Sequence, residues 1–262
     1  MGVTGLLDLA DEAAGIAADF LLHRRPGDLQ VESKSSATDA VTEMDRRSES
    51  LIVEHLLNRR GDDGVLGEEG GERRGSSGVR WVIDPLDGTV NYLYGLPMWA
   101  VSVAAERDGE VVAGVVRAPM LGVSWLAERG AGSWRRSASG DLQRNAVTTA
   151  TDLAQALVAT GFGYAAADRV RQAERLHRVI GSIRDIRRAG AAAIDLCWVA
   201  DATVDGYFEE GTHHWDRAAA GLIATEAGAV VSDAAGGPPT DEMTVATSAA
   251  LAPALRAMLA AT

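Results

Sequence analysis

The chain has 262 residues, 47% of them hydrophobic, and this length can bury a full core as one large domain or two small ones, which argues against disorder. Its formal net charge of -12 argues against nucleic acid as the main partner, because binding to nucleic acid depends on clustered Lys and Arg. An acidic protein can still bind a phosphate group if metal ions reverse the local charge. With Cys197 as its one cysteine, the chain can form no intramolecular disulfide, and a reducing cytoplasm fits best.

The first segment, MGVTGLLDLADEAAGIAADFLL, is predicted to be a core-packing helix rather than a signal peptide, since it lacks a basic start and carries acids early. Its apolar residues recur at the spacing of one helix face, at Leu6, Leu9, Ala13, Ala17 and Phe20. Basic and helix-breaking residues predict the end of this helix at 23–27. The chain contains no run of about 18 apolar residues, so no membrane span is predicted.

The next elements are predicted to form an α+β half. A helix is expected over residues 42–58, with Glu49 away from its apolar side. Residues 80–136 have the pattern of consecutive strands of an antiparallel sheet, with Asp108 and Gly109 as a hairpin turn. Pro85 is expected to end the strand that precedes it, because proline lacks a backbone N–H and fixes φ.

The pattern changes at residues 145–151, where an α/β half begins. Short apolar strands then alternate with helical patterns, which are predicted at residues 168–180, 191–202, 216–227 and 251–260. We therefore predict an N-terminal half over residues 1–146 and a C-terminal half over residues 147–262.

Two acids, Asp84 and Asp87, follow the apolar run WVI and flank Pro85 and Leu86. Two carboxylates this close would force one of them to stay protonated unless a cation lay between them. A hard divalent cation suits oxygen ligands, and the Leu86 carbonyl is a further possible ligand. Taken alone, the stretch DPLDG is equally consistent with a turn in which an Asp caps a helix.

Further acids stand at comparable positions in both halves. Glu68 and Glu69 follow a short apolar run in LGEEGG, where a solvated turn is the simpler interpretation. Asp216 opens a predicted helix, where capping of the backbone amides is the simpler interpretation. Taken together, acids at strand ends and at a helix start, in two halves of the chain, predict a metal site between those halves.

Three segments are similar in order and spacing to the motifs of the inositol monophosphatase family: GEEG at 67–70, WVIDPLDGTVNY at 81–92 and HHWDRAAAGLIATEAGAVV at 213–231. That family comprises magnesium-dependent, lithium-sensitive phosphomonoesterases. Similarity at 34–49 and 187–211 extends the resemblance to nearly the whole chain, and TGFGY at 160–164 resembles the bacterial inositol-1-monophosphatase branch. The resemblance implies a mixed α/β fold, the layered αβαβα sandwich of the inositol monophosphatase and fructose-1,6-bisphosphatase type.

The resemblance also implies a site with two or three Mg²⁺ ions. One ion would be held by Glu68, Asp84 and the carbonyl of Leu86. A second ion would be held by Asp84, Asp87 and Asp216, and lithium would compete at this position. A third, more hydrated ion would lie near Glu68.

The same resemblance implies catalytic roles. Glu68 and Thr89 would orient a metal-activated water, and Thr89 would be hydrogen-bonded to Asp45. The backbone amides of Gly88 and Thr89 would bind the phosphate, because a turn that opens a helix presents free donors to an anion. Lys34 would lean over the site and help to order the third metal, or it would be a solvated surface lysine.

Substrate contacts are implied for Asp87, Asp216, the backbone around Ala192 and the Glu209 carboxylate. Glu209 would accept hydrogen bonds from sugar or cyclitol hydroxyls, and specificity built on hydroxyl pairing is sharper than that of an apolar pocket. Its neighbour Glu210 also stands at a strand end, so one of the two acids could be merely solvated.

Other residues near these motifs have simpler interpretations. His213 and His214 are interpreted as packing residues or neighbours of the ligands, because the predicted site is rich in oxygen. Cys197 lies in an apolar helical pattern and is interpreted as a buried small hydrophobe. The arginine-rich stretch at 170–188 is interpreted as a solvated helix face.

These observations predict a Mg²⁺-dependent phosphomonoesterase that hydrolyses myo-inositol 1-phosphate, or a similar polyol monophosphate, to the alcohol and phosphate. Histidinol phosphate is the alternative substrate, because Glu209 could also serve it, and fructose 1,6-bisphosphate and 3′-phosphoadenosine 5′-phosphate are further rivals. A regulatory or scaffold protein that does not rely on turnover is the alternative from another class, and the intact acid motifs argue against it. The predicted partners are a small phosphate monoester and a second copy of the chain, in the cytoplasm, without nucleic acid or membrane.

Overall fold

The structure is a computed structural model that describes residues 3–23, 31–33 and 40–260, with side chains at 5–23 and 43–260. These residues form seven α-helices: α1 Val3–His23, α2 Glu43–Arg59, α3 Thr89–Tyr94, α4 Ala166–Val179, α5 Ala192–Ala200, α6 His214–Glu226 and α7 Ala252–Ala260. Apart from the short α3, each helix was expected from its apolar periodicity, and the predictions for α2 and α4 to α7 are confirmed to within two residues at each end.

The same residues form fifteen strands: β1 Val31–Ser33, β2 Ala40–Thr42, β3 Gly64–Gly67, β4 Gly71–Arg73, β5 Val79–Asp87, β6 Ala100–Arg107, β7 Glu110–Ala118, β8 Val123–Glu128, β9 Gly132–Ser137, β10 Leu142–Arg144, β11 Leu157–Thr160, β12 Asp185–Arg187, β13 Gly206–Glu209, β14 Ala229–Ser232 and β15 Thr244–Ser248. Strands β1 and β2 pair with each other, and the remaining strands form two larger sheets.

The larger sheet has eight strands in the order β10-β9-β8-β7-β6-β5-β3-β4. Neighbours from β5 to β10 pair antiparallel, which confirms the predicted arrangement of that stretch. The hairpin turn at Asp108 and Gly109 is also confirmed, since both residues have positive φ, 54° and 82°, between β6 and β7. One pair departs from the antiparallel pattern, because β3 runs parallel to β5 and sets Gly67 beside Ile83.

The expectation that Pro85 ends its strand is wrong. Strand β5 continues through it and pairs with β6 at both Asp84 and Asp87, with a shift of register between them. Pro85 lacks the N–H that the ladder would use, so the strand makes a bulge and then resumes its pairing. Ser48 of α2 donates a hydrogen bond of 2.9 Å to the Pro85 carbonyl, which gives that carbonyl a partner inside the bulge.

The smaller sheet has five strands in the order β12-β11-β13-β15-β14. Strand β11 pairs parallel with β12 and β13, and helices α4 and α5 lie in the connections between these strands. Strand β15 runs antiparallel to β13 and β14. Helices and strands therefore alternate from β11 to β14, where the sequence predicted an α/β pattern, and the sheet is mixed.

The elements stack in five layers. Helices α1 and α2 pack on one face of the large sheet, α5 and α6 lie between the sheets, and α4 and α7 cover the outer face of the small sheet. This arrangement confirms the predicted αβαβα sandwich. Helix α1 buries the face that was expected from its periodicity, with Leu6, Leu9, Ala13 and Ala17 buried and Phe20 packed against the same cluster.

Helix α6 approaches the large sheet closely at Gly114 of β7. An ideal Cβ at Gly114 would lie 2.8 Å from the Cα of Ala219 and 3.0 Å from its carbonyl oxygen. The neighbouring helix residues are Ala218 and Ala220, which are buried and small enough to allow this approach. Because α6 carries Asp216 in its first turn, the contact at Gly114 helps to fix the position of that acid.

We propose that the chain divides into residues 1–146 and 147–262. In support, every strand of the large sheet precedes residue 145, and every strand of the small sheet follows residue 156. The two halves share a core, because one buried cluster joins Trp125 of the large sheet to Ile223 of α6 and Ala246 of the small sheet. Within the described ranges, no helix has the length and apolar character needed to cross a membrane.

We predict that Gly114→Ala lowers the free energy of unfolding by about 1–3 kcal/mol, because the added methyl group would push α6 away from the sheet. Gly221→Ala on α6 is the matched control, since its Cβ would meet just the Val231 Cγ1, at 4.0 Å. That variant should be as stable as the wild type or slightly more so. Urea unfolding of both variants measures the difference, and equal stabilities would contradict the close contact.

Candidate functional site

A cavity of about 1100 Å³ opens where the two halves meet, and both halves contribute to its walls. The predicted site residues that line it are Glu68, Asp84, Leu86, Asp87, Gly88, Thr89, Ala192, Glu209 and Asp216. Asp45 of α2 is buried and lies next to Thr89. Lys34, the predicted loop contact, lies outside the described residues.

The parallel pairing of β3 with β5 brings Glu68 towards Asp84. It sets Gly67 beside Ile83, and the Glu68 amide then donates a hydrogen bond of 3.3 Å to the Ile83 carbonyl. The next residues along the two strands therefore leave the same edge of the sheet. Sequence patterns alone do not show this pairing, because β4 comes between the two strands along the chain.

Asp84 and Asp87 are both buried, and backbone amides fix each of them. Asp84 accepts a hydrogen bond of 3.0 Å from the amide of Leu86. Asp87 accepts hydrogen bonds of 2.7 Å from Ala193 and 3.2 Å from Ala192, the first two residues of α5. Asp87 therefore caps a helix of the other half of the chain, and this contact holds Ala192 at the cavity wall.

Asp216 is a helix cap and a cavity residue at once. It is the third residue of α6, and its Oδ2 accepts a hydrogen bond of 2.7 Å from the His213 amide. The simpler interpretation of Asp216 as a capping residue is therefore correct. The same side chain nevertheless lines the cavity together with Asp84 and Asp87, so capping does not exclude a second role.

Burial raises the pKa of Asp84 well above its usual range, and the nearby charges of Glu68 and Asp87 add to the effect. Burial also raises the pKa of Asp216, with the charges of Asp87 and Glu68 adding to it. For Asp87, burial outweighs the hydrogen bonds from α5 and raises the pKa to about 7. The acids therefore disfavour one another's ionised forms, and a bound cation would relieve this repulsion.

Across the residues that the structure describes, no group of three or more His, Cys, Asp or Glu side chains is placed so that it could hold a metal ion by itself. The acids Glu68, Asp84, Asp87 and Asp216, called the acid cluster below, face a large cavity instead of forming a closed cage. Mg²⁺ commonly keeps several waters and binds through one or two carboxylates together with substrate phosphates. An open cluster with oxygen donors fits such an ion better than it fits structural zinc, which takes an enclosed set of four ligands.

Thr89 follows the turn between β5 and α3. Gly88, before it, has a φ of 89°, a conformation that other residues rarely adopt. The Thr89 hydroxyl donates to the Leu86 carbonyl at 3.1 Å, and Asp45 Oδ1 lies 3.5 Å away. The contact between Thr89 and Asp45 is therefore long, because the single hydroxyl proton is better placed for the carbonyl of Leu86.

Glu209 ends β13 and lines the cavity from the C-terminal half. Its Oε2 accepts a hydrogen bond of 3.0 Å from the hydroxyl of the buried Tyr207. The carboxylate packs against Gly161, where an ideal Cβ would overlap both of its oxygens. Burial raises the pKa of Glu209 to about 7. Two residues that sequence reasoning missed, Tyr207 and Gly161, therefore fix the orientation of this acid.

Sequence reasoning also missed the arginines of the cavity. Arg171, Arg175 and Arg188 line it, and α4 is otherwise largely exposed, as expected for a solvated helix face. Arg171 and Arg175 pair with Glu210 at 3.0 and 3.1 Å, so Glu210 is an ion-pair partner instead of a solvated acid. The available signal was the spacing of four residues, which puts both arginines on one face of α4.

The histidines beside Asp216 pair with acids that are not predicted metal ligands. His214 Nε2 lies 2.5 Å from Oε1 of the buried Glu106, and His213 Nδ1 lies 3.2 Å from Asp241 Oδ2. Cys197 is buried in α5, and burial raises the pKa of its thiol, which does not favour a nucleophile.

The sequence model of the inositol monophosphatase family matches residues 4–262. The chain is 42% identical over 243 residues to an inositol-1-monophosphatase SuhB of Mycobacterium tuberculosis, covering 86% of this chain and 83% of that protein. It is 39% identical over 236 residues to a Nus factor SuhB of Pasteurella multocida, covering 88% and 86%. The solved structure of the extragenic suppressor protein suhB from Bartonella henselae superposes with a TM-score of 0.91 at 33% identity, over 98% of this chain and 99% of that one.

We predict that Glu209→Gln removes part of the pH dependence of stability measured in EDTA. The folded protein holds the Glu209 proton up to about pH 7, whereas the unfolded chain releases it near the ordinary pKa of 4.5. Ionisation of Glu209 therefore destabilises the fold, and wild-type stability should fall relative to the variant as pH rises through this window, by roughly 3 kcal/mol at most. The Gln oxygen can still accept the hydrogen bond from Tyr207.

Urea unfolding of both proteins at about pH 5 and about pH 8 measures this difference. A stability difference between variant and wild type that is the same at both pH values would contradict the raised pKa.

Proposed function

The chain belongs to the inositol monophosphatase family and is a phosphatase, and we propose that it hydrolyses myo-inositol 1-phosphate, or a similar polyol monophosphate, with Mg²⁺ as cofactor. The observation that carries the proposal is one cavity that holds both the acid cluster and Glu209. The acids suit a phosphate bound through cations, and Glu209 offers an acceptor to the hydroxyls of the alcohol.

The residues that would hold two or three Mg²⁺ ions are Glu68, Asp84, Asp87, Asp216 and, through its carbonyl, Leu86. Bound Mg²⁺ would polarise the phosphoryl group and lower the pKa of water in the site. The raised pKa values of Asp84 and Asp216 support this assignment, because burial and the neighbouring acids disfavour the ionised forms of these two carboxyls, and added positive charge would favour them. Lithium would compete near Asp87 and Asp216.

Glu68 and Thr89 would position the attacking water. The Thr89 hydroxyl uses its own proton towards the Leu86 carbonyl or Asp45, so its lone pairs can accept a hydrogen bond from the water. The Glu68 carboxylate would accept a hydrogen bond from the second O–H of the water. A water that donates both of these hydrogen bonds presents an oxygen lone pair to the phosphorus.

The turn at Gly88 and Thr89 would bind the phosphate through its backbone amides, since the first N–H groups of a helix have no partner within the helix. Asn91 in the same helix fixes this turn against the loop that precedes α5. Its side-chain amide donates to the carbonyls of Met98, at 2.5 Å, and Ala189, at 2.9 Å.

Glu209 and the backbone at Ala192 would contact the alcohol, next to Asp87 and Asp216. A site built to pair with hydroxyl groups rejects alcohols that lack them, because its own polar groups are then left unpaired. Histidinol phosphate remains the alternative, since its amine could pair with Glu209.

The Pasteurella multocida relative is named a Nus factor, and this name brings back the alternative of a regulatory or scaffold protein that does not rely on turnover. Glu68, Asp84, Asp87 and Asp216 line one cavity in this chain, which supports turnover as the function. A protein that had abandoned catalysis would have no need to keep these mutually repelling acids together.

We also propose a cytoplasmic homodimer that does not bind nucleic acid. The net charge of -12 and the single cysteine support this proposal. The C-terminal end of α3 exposes Tyr94 by 80%, the loop after it exposes Leu96 by 46%, and a second copy of the chain would cover such an apolar surface. Light scattering tests the dimer directly.

We predict that phosphate release from inositol 1-phosphate requires Mg²⁺ and stops in EDTA, and that Asp216→Asn lowers kcat/KM by about 100-fold or more. The Asn oxygen can still accept the His213 N–H, so the helix cap is kept while the negative charge is lost. Glu242→Gln is the matched control, because Glu242 lines the same cavity, is exposed and is not a predicted ligand.

Activity of Asp216→Asn near the wild-type level, or activity in EDTA, would contradict the proposed metal site. A preference for histidinol phosphate in the same assay would be consistent with the proposed mechanism but would contradict the proposed polyol substrate.

We predict that Gly161→Ala raises KM for inositol 1-phosphate by about 10-fold or more, because the added Cβ would displace the Glu209 carboxylate. Gly163→Ala in the same loop is the control, since its Cβ would lie at an ordinary 3.5 Å from the Cβ of Asp168. Steady-state kinetics measure both variants. A KM of Gly161→Ala equal to that of Gly163→Ala and of the wild type would contradict the proposed contact between Glu209 and the alcohol.

A further inference from the structure

Glu49 of α2 is a buried acid outside the predicted ligand set. It is 6% exposed, although its position in the helical pattern placed it away from the apolar side. Its two carboxylate oxygens accept hydrogen bonds from the amides of Glu69, at 2.9 Å, and Gly70, at 2.6 Å. Glu49 therefore binds the turn that follows β3, and Glu68 lies in that turn.

Gly67 and Gly70, which flank Glu68 and Glu69, leave the space that the Glu49 carboxylate occupies. An ideal Cβ at Gly67 would overlap Glu49 Oε2, and one at Gly70 would lie 2.6 Å from Oε1. Side chains at these two positions would therefore displace the carboxylate. This close fit gives a steric reason for the glycines of GEEG, independent of backbone conformation.

The Glu68 segment is held from two directions. Its own amide donates to the Ile83 carbonyl of β5 at 3.3 Å, and the two amides that follow it donate to Glu49. Three consecutive backbone amides thus have fixed partners, and the peptide that carries the Glu68 side chain has little freedom to rotate.

Stability alone does not account for an acid at this position. Burial raises the pKa of Glu49, the two backbone hydrogen bonds offset part of this effect, and the charges of Glu69 and Glu68 add to it. Burying a carboxylate near other acids opposes folding. What Glu49 provides in the structure is the pair of hydrogen bonds that holds the turn after β3.

We propose that Glu49 is a positioning residue for the metal site, which fixes the turn at residues 67–70 so that Glu68 is preorganised to bind Mg²⁺ beside Asp84. This inference rests on the proposed function, because it concerns Glu68 as a metal ligand. Residues that orient metal ligands commonly change metal affinity when they are replaced.

The test compares Glu49→Gln with Glu54→Gln, which changes an exposed acid on the same helix. Gln keeps the size of the side chain, but its amide nitrogen cannot accept a hydrogen bond, so one turn amide loses its partner. Calorimetric titration of Mg²⁺ into the metal-free protein should show Kd raised about 10- to 100-fold in Glu49→Gln and unchanged in Glu54→Gln. The Mg²⁺ concentration for half-maximal activity should rise by the same factor, with kcat at saturating Mg²⁺ close to the wild-type value.

Gly70→Ala tests the same contact from the turn, because its Cβ would force the Glu49 carboxylate away. It should also weaken Mg²⁺ binding, and it serves as the test if Glu49→Gln does not fold. Unchanged Mg²⁺ affinity in a folded variant of either kind, or a loss of stability in EDTA as the sole effect, would overturn the inference and leave the proposed function intact. A wild-type protein that binds no Mg²⁺ would overturn both.

Discussion

Mutual repulsion among buried carboxylates is the constraint on which this site depends. Burial and neighbouring negative charge raise the pKa of Asp84 and Asp216 well above their usual range and that of Asp87 to about 7. Buried acids that repel one another in this way move apart unless the backbone holds them together. The fold accepts local irregularities to do so, among them a bulge at Pro85 and a buried acid at Glu49.

Several elements of the fold hold the acids together, since Asp84 and Asp87 lie on β5 and the other contacts come from elsewhere. The pairing of β3 with β5 sets the position of Glu68, the start of α5 holds Asp87, and the first turn of α6 carries Asp216. Helix α6 is itself fixed by the approach of Ala219 to Gly114 of the large sheet. The helices between the two sheets therefore belong to the core and also determine how closely the acids can approach, which links the stability of the protein to its proposed chemistry.

The helices and the large antiparallel stretch could be predicted from the sequence because apolar periodicity is a local signal. The acids were also visible, since each stands where such a pattern stops. The positions of these acids predicted a site between the halves, and the family resemblance implied which of them share a metal. The parallel pairing of β3 with β5, which brings Glu68 towards Asp84, was not visible in the sequence, because the two strands are not consecutive. Pro85 was misinterpreted because the local rule does not include β6, whose pairing resumes at Asp87. Glu49 was overlooked because the amides that bind it lie some 20 residues further along the chain.

Proton release on Mg²⁺ binding tests the central claim most directly. A pKa of about 7 means that Asp87 of the metal-free protein holds a proton part of the time near neutral pH, and burial raises the pKa of Asp84 and Asp216 as well. A bound cation would displace such protons. Calorimetric titrations near pH 7 in two buffers of different ionisation enthalpy count the protons released. We predict a net release of protons from the protein that increases as the pH is lowered. Mg²⁺ binding without proton release would show that the acids are already ionised in the metal-free protein. That result would contradict the mutual repulsion on which the site depends.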